Sequence, residues 1–555
     1  MIDRRVFLKQ LAGVSVGALI GESIWPLAAD AAETTTGMQK RWLFIFKDLT
    51  DPKQVNNTIA LLPRAKTDGY NAIVINSNVM QAKAADLRKA AKDNGLGLVV
   101  MVMGGASDRN YYEGFHVVDA LYVASGGTAS LAQDNPTKVA NADFEDVSGN
   151  HFNGWSFQDS EGSSTFADHD VVHGGKTSLR MENVGQNPGQ HCRIMQTVQL
   201  SPRRQYRMSF WVKTQDMAGG MSPSVELLTP DGNNNICWES FHCDSTQDWK
   251  HYDLTFNSLQ YTSGLLYLGT WGGTTGKFWW DDFEMEEIGL VNALRRPGCP
   301  LSIKGDDGTV YSEGQDYNKV TDPMLNPWWS YHDQPLIHLT ANTKIKEGER
   351  LRVSYYHSVI VYEDRINNCL SEPKVFADWE TEVKNADALL HPDAFFMQHD
   401  EIREANQCAA CQAMQMTPGE LLAWNIRKAA AIIRKVRPDA SIWVWNDMFD
   451  PYHNAKEKDF YFVNGPLTGS WKGLDKDVGI VNWNGGGLDK DCQFFADLGL
   501  KQILSGYYDG DDDGSGIANW EAKAKDIKGI VGAMYTTWND NYAPMDVWAK
   551  KAWGG

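Results

Sequence analysis

Thiols, cationic charge and long apolar runs are all scarce in this chain. Eight cysteines in 555 residues are too few for a disulfide scaffold. The one close pair is Cys408-Ala409-Ala410-Cys411; Gln412 stands where a haem attachment requires His, and no second CxxC completes a zinc site. A local disulfide, or two thiols shaping the loop after Glu404, is the expectation. The 13 histidines include no HxH or HExxH, which weighs against a metal mechanism, so no cofactor is expected for catalysis. Lys and Arg number 52 against 71 Asp and Glu, and the net charge of −19 argues against nucleic acid as a partner. A neutral or cationic ligand fits better. Beyond the N-terminus no stretch approaches the ~20 apolar residues of a spanning helix, so no membrane contact is expected past that segment.

The N-terminus carries Asp3-Arg4-Arg5-Val6-Phe7-Leu8-Lys9, then a short apolar run from Leu11 to Ile20, then Ala29-Asp30-Ala31-Ala32. Residues 1–32 resemble a twin-arginine export signal, which implies a periplasmic or secreted protein.

At 555 residues there is room for two or three domains. Arg41 to Phe46, Asn71 to Ser77 and Leu98 to Met103 are nearly all hydrophobic and alternate with helical patterning, as parallel strands covered on both faces do. From about residue 140 to 290 short alternating strands are separated by Gly, Asn, Asp and Ser, the rhythm of a β-sandwich. Residues 291–358 read as a small β-rich insert ending in Leu351–His357. Helix and strand then alternate again. Strands are expected at 394–400, 442–445, 479–483, 502–505 and 530–538, with a helix started by the capping box Thr417-Pro418-Gly419-Glu420. Three strands before the interruption and five after it predict an α/β fold, a (β/α)8 TIM barrel interrupted after strand 3 by an all-β jelly-roll sandwich and the small insert. The barrel would occupy 33–139 and 359–555, the sandwich 140–290.

Chemistry in such barrels lies at the C-terminal ends of the strands. Those ends read Asp400-Glu401, Trp445-Asn446-Asp447, Trp483-Asn484, Tyr507-Tyr508-Asp509 and Trp538-Asn539-Asp540. Indoles can stack on pyranose C–H faces while acids and amides bond hydroxyls. Glycoside hydrolysis needs a proton donor at the leaving oxygen and a negative or nucleophilic group opposite, and Asp400 and Glu401 can divide those jobs. His399 is a candidate ligand for a sugar hydroxyl. Asp509 to Gly514 reads as a solvated acidic loop.

The segment Ala394–Glu401 resembles the catalytic strand of family 20 glycoside hydrolases, the β-N-acetylhexosaminidases, in which Asp-Glu follows His-x-Gly-Gly. Gln398-His399 replaces Gly-Gly here, and Lys47-Asp48 ends the first strand without that family's Asp-x-x-Arg. The resemblance, over about 394–545, implies substrate-assisted retention. Asp400 would orient the 2-acetamido group, Glu401 would act as acid and base, Tyr507 or Tyr508 would bond the acetamido oxygen, and Trp538 with Trp445 would wall its methyl. On a sugar without that group, Glu401 would work with Asp447, Asp509 or Asp540.

Asn141-Ala142-Asp143-Phe144-Glu145 and the closing Trp280-Asp281-Asp282 resemble the first and last strands of jelly-roll carbohydrate-binding modules. That likeness implies a structural calcium held by Glu145 and Asp282. Trp155, Trp238, Trp249 and Trp271 are either sugar platforms or core. The reading is an exported glycoside hydrolase acting on an oligo- or polysaccharide, with a non-catalytic glycan-binding protein as the alternative; the oligomeric state stays open.

Overall fold

The computed structural model describes residues 38–105, 108–133, 137–362 and 365–554. The export signal expected at 1–32 lies outside the described residues. The chain divides into two compact units: one takes 368–406 and 411–554 together with the described residues up to 105, the other 108–367 and 407–410.

In the first unit Lys40–Ile45, Ala72–Asn76, Gly97–Val102, Ala394–Met397, Ser441–Trp445, Val478–Asn482, Gln502–Leu504 and Ile530–Tyr535 form a closed barrel in that order. Every pairing is parallel, and Leu43 opposite Tyr535 closes the ring. Side chains of a strand alternate between faces. Trp42, Phe44, Val74, Val99, Met101, Phe396, Trp443, Trp445, Val481, Ile503 and Met534 therefore meet in the interior. Trp42 and Trp443 pack edge to face at 5.1 Å in one layer, and Phe44 lies 6.1 Å from Trp445 in another. Gly479 makes this possible, because a Cβ there would run into the Trp443 ring.

Helices Pro52–Thr67, Gln81–Asp93, Pro373–Leu390, Pro418–Val436, Leu488–Asp497, Ser515–Lys523 and Met545–Trp553 follow or link the strands. Thr417 and Glu420 form the expected reciprocal cap. One expected crossover helix is replaced. Between Trp445 and Val478 the described chain has only the 3-10 turns Asp447–Phe449 and Ser470–Gly473. Pro451, Gly465, Pro466 and Gly469 interrupt helical hydrogen bonding there, and Phe462–Val463 instead pairs in parallel with Glu404–Ala405.

The second unit contains two five-stranded antiparallel sheets, enclosing a core that includes Phe144, Trp155, Phe210 and Trp280. It also contains a six-stranded antiparallel sheet, which moves two expected boundaries. Phe115–Ser125 and Thr128–Leu131, assigned from sequence to the barrel's first part (33–139), pair with Arg350–His357 and Ile337–His338. The small insert is thus built from both flanks of the sandwich, and the barrel is left before residue 108. The Phe115–Ser125 run is apolar enough to pass for a barrel strand; its long-range antiparallel partner decides the matter.

No disulfide joins Cys408 to Cys411. Cys411 Sγ instead lies 3.4 Å from Cys369 Sγ and accepts from Ser371 Oγ at 3.3 Å. No helix among the described residues is long and apolar enough to cross a membrane.

Candidate active site

The fourth barrel strand, Ala394–Met397, sends Phe396 inward, and the chain runs on past its end as Gln398-His399-Asp400. His399 turns away from the mouth. It is buried near Trp379 and Phe449, with Nε2 3.0 Å from Asn425 Oδ1, and burial lowers it to about 4. The expectation that His399 binds a sugar hydroxyl is therefore corrected.

Asp400 is half-buried, and Glu401, past the strand's end, lies at φ 50°. The Glu401 N–H donates to Asp447 Oδ2 at 2.8 Å, and Oε1 accepts from Arg403 Nη2 at 2.9 Å. Arg403, itself buried, lies 5.1 Å from the Tyr461 ring centroid. The Phe462 N–H donates to Arg403 O at 2.8 Å, which ties together the loops after the fourth and fifth strands.

Asp447 has no exposed surface and also accepts from Asn454 Nδ2 at 3.0 Å. Burial, reinforced by the Asp400 charge, pushes its carboxyl up to about 8. It cannot touch a sugar as expected, because the end of the fifth strand turns immediately into Asp447–Phe449 and draws it beneath Glu401.

His453 packs edge to face on Trp483 at 4.4 Å, and burial holds it down to about 4. Trp483 is half-buried, its N–H donating to Asn446 Oδ1 at 3.1 Å; Asn484 accepts from its own loop at Gly486 N. Trp445 is buried against Phe396 at 4.7 Å and forms a floor, while half-buried Trp538 packs at 4.9 Å from Phe44 and 5.3 Å from Phe46.

The seventh strand's end needs two corrections. Tyr508 is buried with Trp548 and Tyr535 on the outside of the barrel, its hydroxyl accepting from Gly506 N at 3.0 Å. Asp509 is spent on the eighth strand, accepting from Trp538 N at 2.6 Å and Thr537 Oγ1 at 2.5 Å. Tyr507 is the exposed ring, 3.4 Å from Asn539 Nδ2. Asp540 pairs with Lys47 at 3.2 Å. In the acidic loop, Asp511 and Asp513 accept from the first N–H groups of helix Ser515–Lys523.

Sequence reasoning missed Arg403, His453 and Asn454 as site residues. The last two belong to a loop with no periodicity to place it, and a lone Arg two residues after Glu401 carries no motif that marks it.

In the sandwich, Arg193 lies over Phe157 and Trp271 at 5.6 and 6.0 Å, and Tyr267 packs 6.3 Å from Trp271. Glu226 on the neighbouring strand is raised to about 7 by burial, with Arg193 opposing. Trp238 is covered edge-on by Tyr362 at 4.7 Å, Trp155 belongs to the core, and Trp249 packs near His173 on the other sheet. Glu145 Oε1 accepts from Lys176 N and Thr177 N at 2.7 and 2.9 Å, while Asp282 Oδ2 is 2.6 Å from His173 Nδ1. Both carboxylates thus crowd the 173–177 loop. A Cβ on Gly174 would sit 2.7 Å from Asp282 Oδ2, so Asp282 also lies close against this loop.

Residues 137–274 match the family model of a carbohydrate binding domain. The chain is similar to a solved structure titled Family 16 Carbohydrate Binding Module-2, at 18% identity over 26% of this chain and 97% of that one, TM-score 0.21. It is similar at 16% identity to TmCBM61 in complex with beta-1,4-galactotriose (27% and 96% covered, TM-score 0.21). A third likeness, also at 16%, is to the CBM22-1 xylan-binding domain from Paenibacillus barcinonensis (24% and 84%, TM-score 0.17). No curated protein matches the chain.

Proposed function

We propose that the chain is an exported glycoside hydrolase of the retaining, substrate-assisted β-N-acetylhexosaminidase type, working at the mouth of a (β/α)8-like barrel that lacks one crossover helix. The observation that carries the reading is the placement of Asp400 and Glu401 at the C-terminal end of the fourth strand of a closed parallel barrel whose strand ends also carry Trp445, Trp483 and Trp538. Glu401 protonates the leaving oxygen, its carboxyl oriented by Arg403. Asp400 orients and polarises the 2-acetamido group, whose carbonyl oxygen attacks the anomeric carbon. Tyr507, the exposed member of its pair, bonds that oxygen, and Trp538 with Trp445 walls the methyl.

Two of the three alternative partners for Glu401 lose ground. The carboxylates of Asp447 and Asp509 are committed to protein N–H and O–H donors, and only Asp540 keeps a rim position. The sandwich supplies glycan affinity through the face bearing Phe157, Arg193, Tyr267 and Trp271. Glu145 and Asp282 hold calcium there in a structural role.

The test incubates the purified protein with aryl glycosides bearing and lacking a 2-acetamido group, alongside Glu401→Gln. Release of the aryl group only from acetamido sugars, lost in Glu401→Gln with the fold intact, is expected. Undiminished turnover in that variant would remove the assignment. A second reading, a glycan-binding protein without turnover, is favoured by the carbohydrate-binding-domain match; binding across a glycan panel with no product would select it.

A further inference from the structure

We infer that Asp447 is the positioning residue of this site, clamping the backbone of Glu401 in the left-handed conformation that presents the Asp400–Glu401 pair.

Glu401 lies at φ 50°, where its Cβ crowds the backbone and where residues other than glycine and asparagine seldom settle. Such a conformation persists only when its surroundings enforce it. The enforcing contact is the Glu401 N–H on Asp447 Oδ2 at 2.8 Å, with the acceptor residue wholly away from solvent. Removing that acceptor removes this hydrogen bond from the Glu401 N–H. Asp447 comes from the fifth strand, which is hydrogen-bonded to the fourth through Met397 and Val444, so the clamp joins the ends of two adjacent strands.

Asp447 is itself held on several sides. Asn454 Nδ2 donates to the same oxygen at 3.0 Å, and the Asn454 N–H donates to Asp447 O at 3.1 Å, folding the 450–456 loop back onto it. Met448 and Phe449, the other residues of its 3-10 turn, are fully buried. A residue with no exposed surface cannot meet a glycan, so Asp447 acts through Glu401 rather than on the substrate.

The inference rests on the hydrolase reading only for its effect on rate; the clamp is a statement about backbone conformation and is read separately. Two variants and two readouts separate the cases. Asp447→Asn keeps an acceptor oxygen of the same reach, so its crystal structure should retain φ > 0 at Glu401 and its kcat should stay within several-fold of the parent. Asp447→Ala removes the acceptor. Glu401 should then relax to negative φ, and kcat should fall on the order of 10²-fold, the usual consequence of a reacting group displaced by about 1 Å. Positive φ retained in Asp447→Ala would overturn the clamp, whatever the rate. An Asp447→Asn variant as inactive as Glu401→Gln, with Glu401 unmoved, would also overturn it, because the carboxylate would then be needed for chemistry. Should Asp447→Ala not fold, the Asn variant decides alone: loss of the bond from the Glu401 N–H to the amide oxygen counts against the proposal. Turnover persisting in Glu401→Gln would defeat the hydrolase reading and leave the conformational result standing.

Discussion

Asp447→Asn should make the protein more stable near neutral pH, by a margin that widens as pH rises. The wild-type carboxyl has no exposed surface, and burial together with the nearby Asp400 charge lifts it from 3.8 to about 8. In the unfolded chain the group loses its proton near 3.8; in the folded chain it keeps it to about 8. Between those limits the native state binds more protons than the unfolded state, so native stability falls as pH rises, by up to about 1.4 kcal/mol per pH unit for a single group. At pH 7.5 the ceiling is about 5 kcal/mol. Relaxation and water entry around buried charge reduce such penalties, and about 2 kcal/mol is the working expectation, worth several degrees in the barrel's melting transition. Asparagine carries no charge at any pH and still accepts from Glu401 and Asn454, so it removes the titration without removing the clamp. Asp450 and Asp491 are likewise raised, to about 6 and about 9, but they contribute to both proteins and cancel in the difference. The assay is calorimetric melting of both proteins from pH 4 to 8. Convergence near pH 4 and a growing advantage for the variant are expected. A variant less stable at pH 7.5, or a difference flat across the range, would refute the reasoning.

Gly479→Ala should cost about 1–3 kcal/mol by overpacking, since the new Cβ would stand 2.6 Å from Trp443 Cδ2 and closer still to its Cε3 and Cζ3. A smaller residue at 443 in the double mutant should recover part of that loss, and additive melting temperatures would exclude the mechanism. Calcium should raise the sandwich's melting temperature, by about 2.7 kcal/mol of binding linkage at a hundredfold excess over Kd. A chelator should reverse the shift and Glu145→Gln should abolish it; a melt insensitive to calcium in the wild type removes the cation from the reading.

Much of the barrel was legible because its strands are buried on both faces, and a run such as Leu98 to Met103 has few other places to go. The boundary at 139 failed because no element was read between Met103 and residue 140. The pairing of Phe115–Ser125 with Arg350–His357 is a contact more than two hundred residues away in sequence. His399 and Asp400 could not be told apart by parity alone: the strand reads Ala394-Phe395-Phe396-Met397, apolar on both faces, and ends before either of them. Tyr507 and Tyr508 could not be separated that way, since they lie beyond the strand's end at Leu504, where alternation no longer applies.

Chain order, strand composition and the recurrence of indoles and carboxylates at strand ends were properties of the sequence, because hydrophobic period and residue type survive without coordinates. Which carboxylates face solvent and which hold backbone was decided only by folding. Asp447 and Asp509 look like Asp400 on paper; each became an acceptor for N–H groups on a neighbouring strand or the loop beyond it because the barrel brings those donors within 3 Å. Burial and partner geometry are properties of the closed ring, and no local run of residues encodes them by itself.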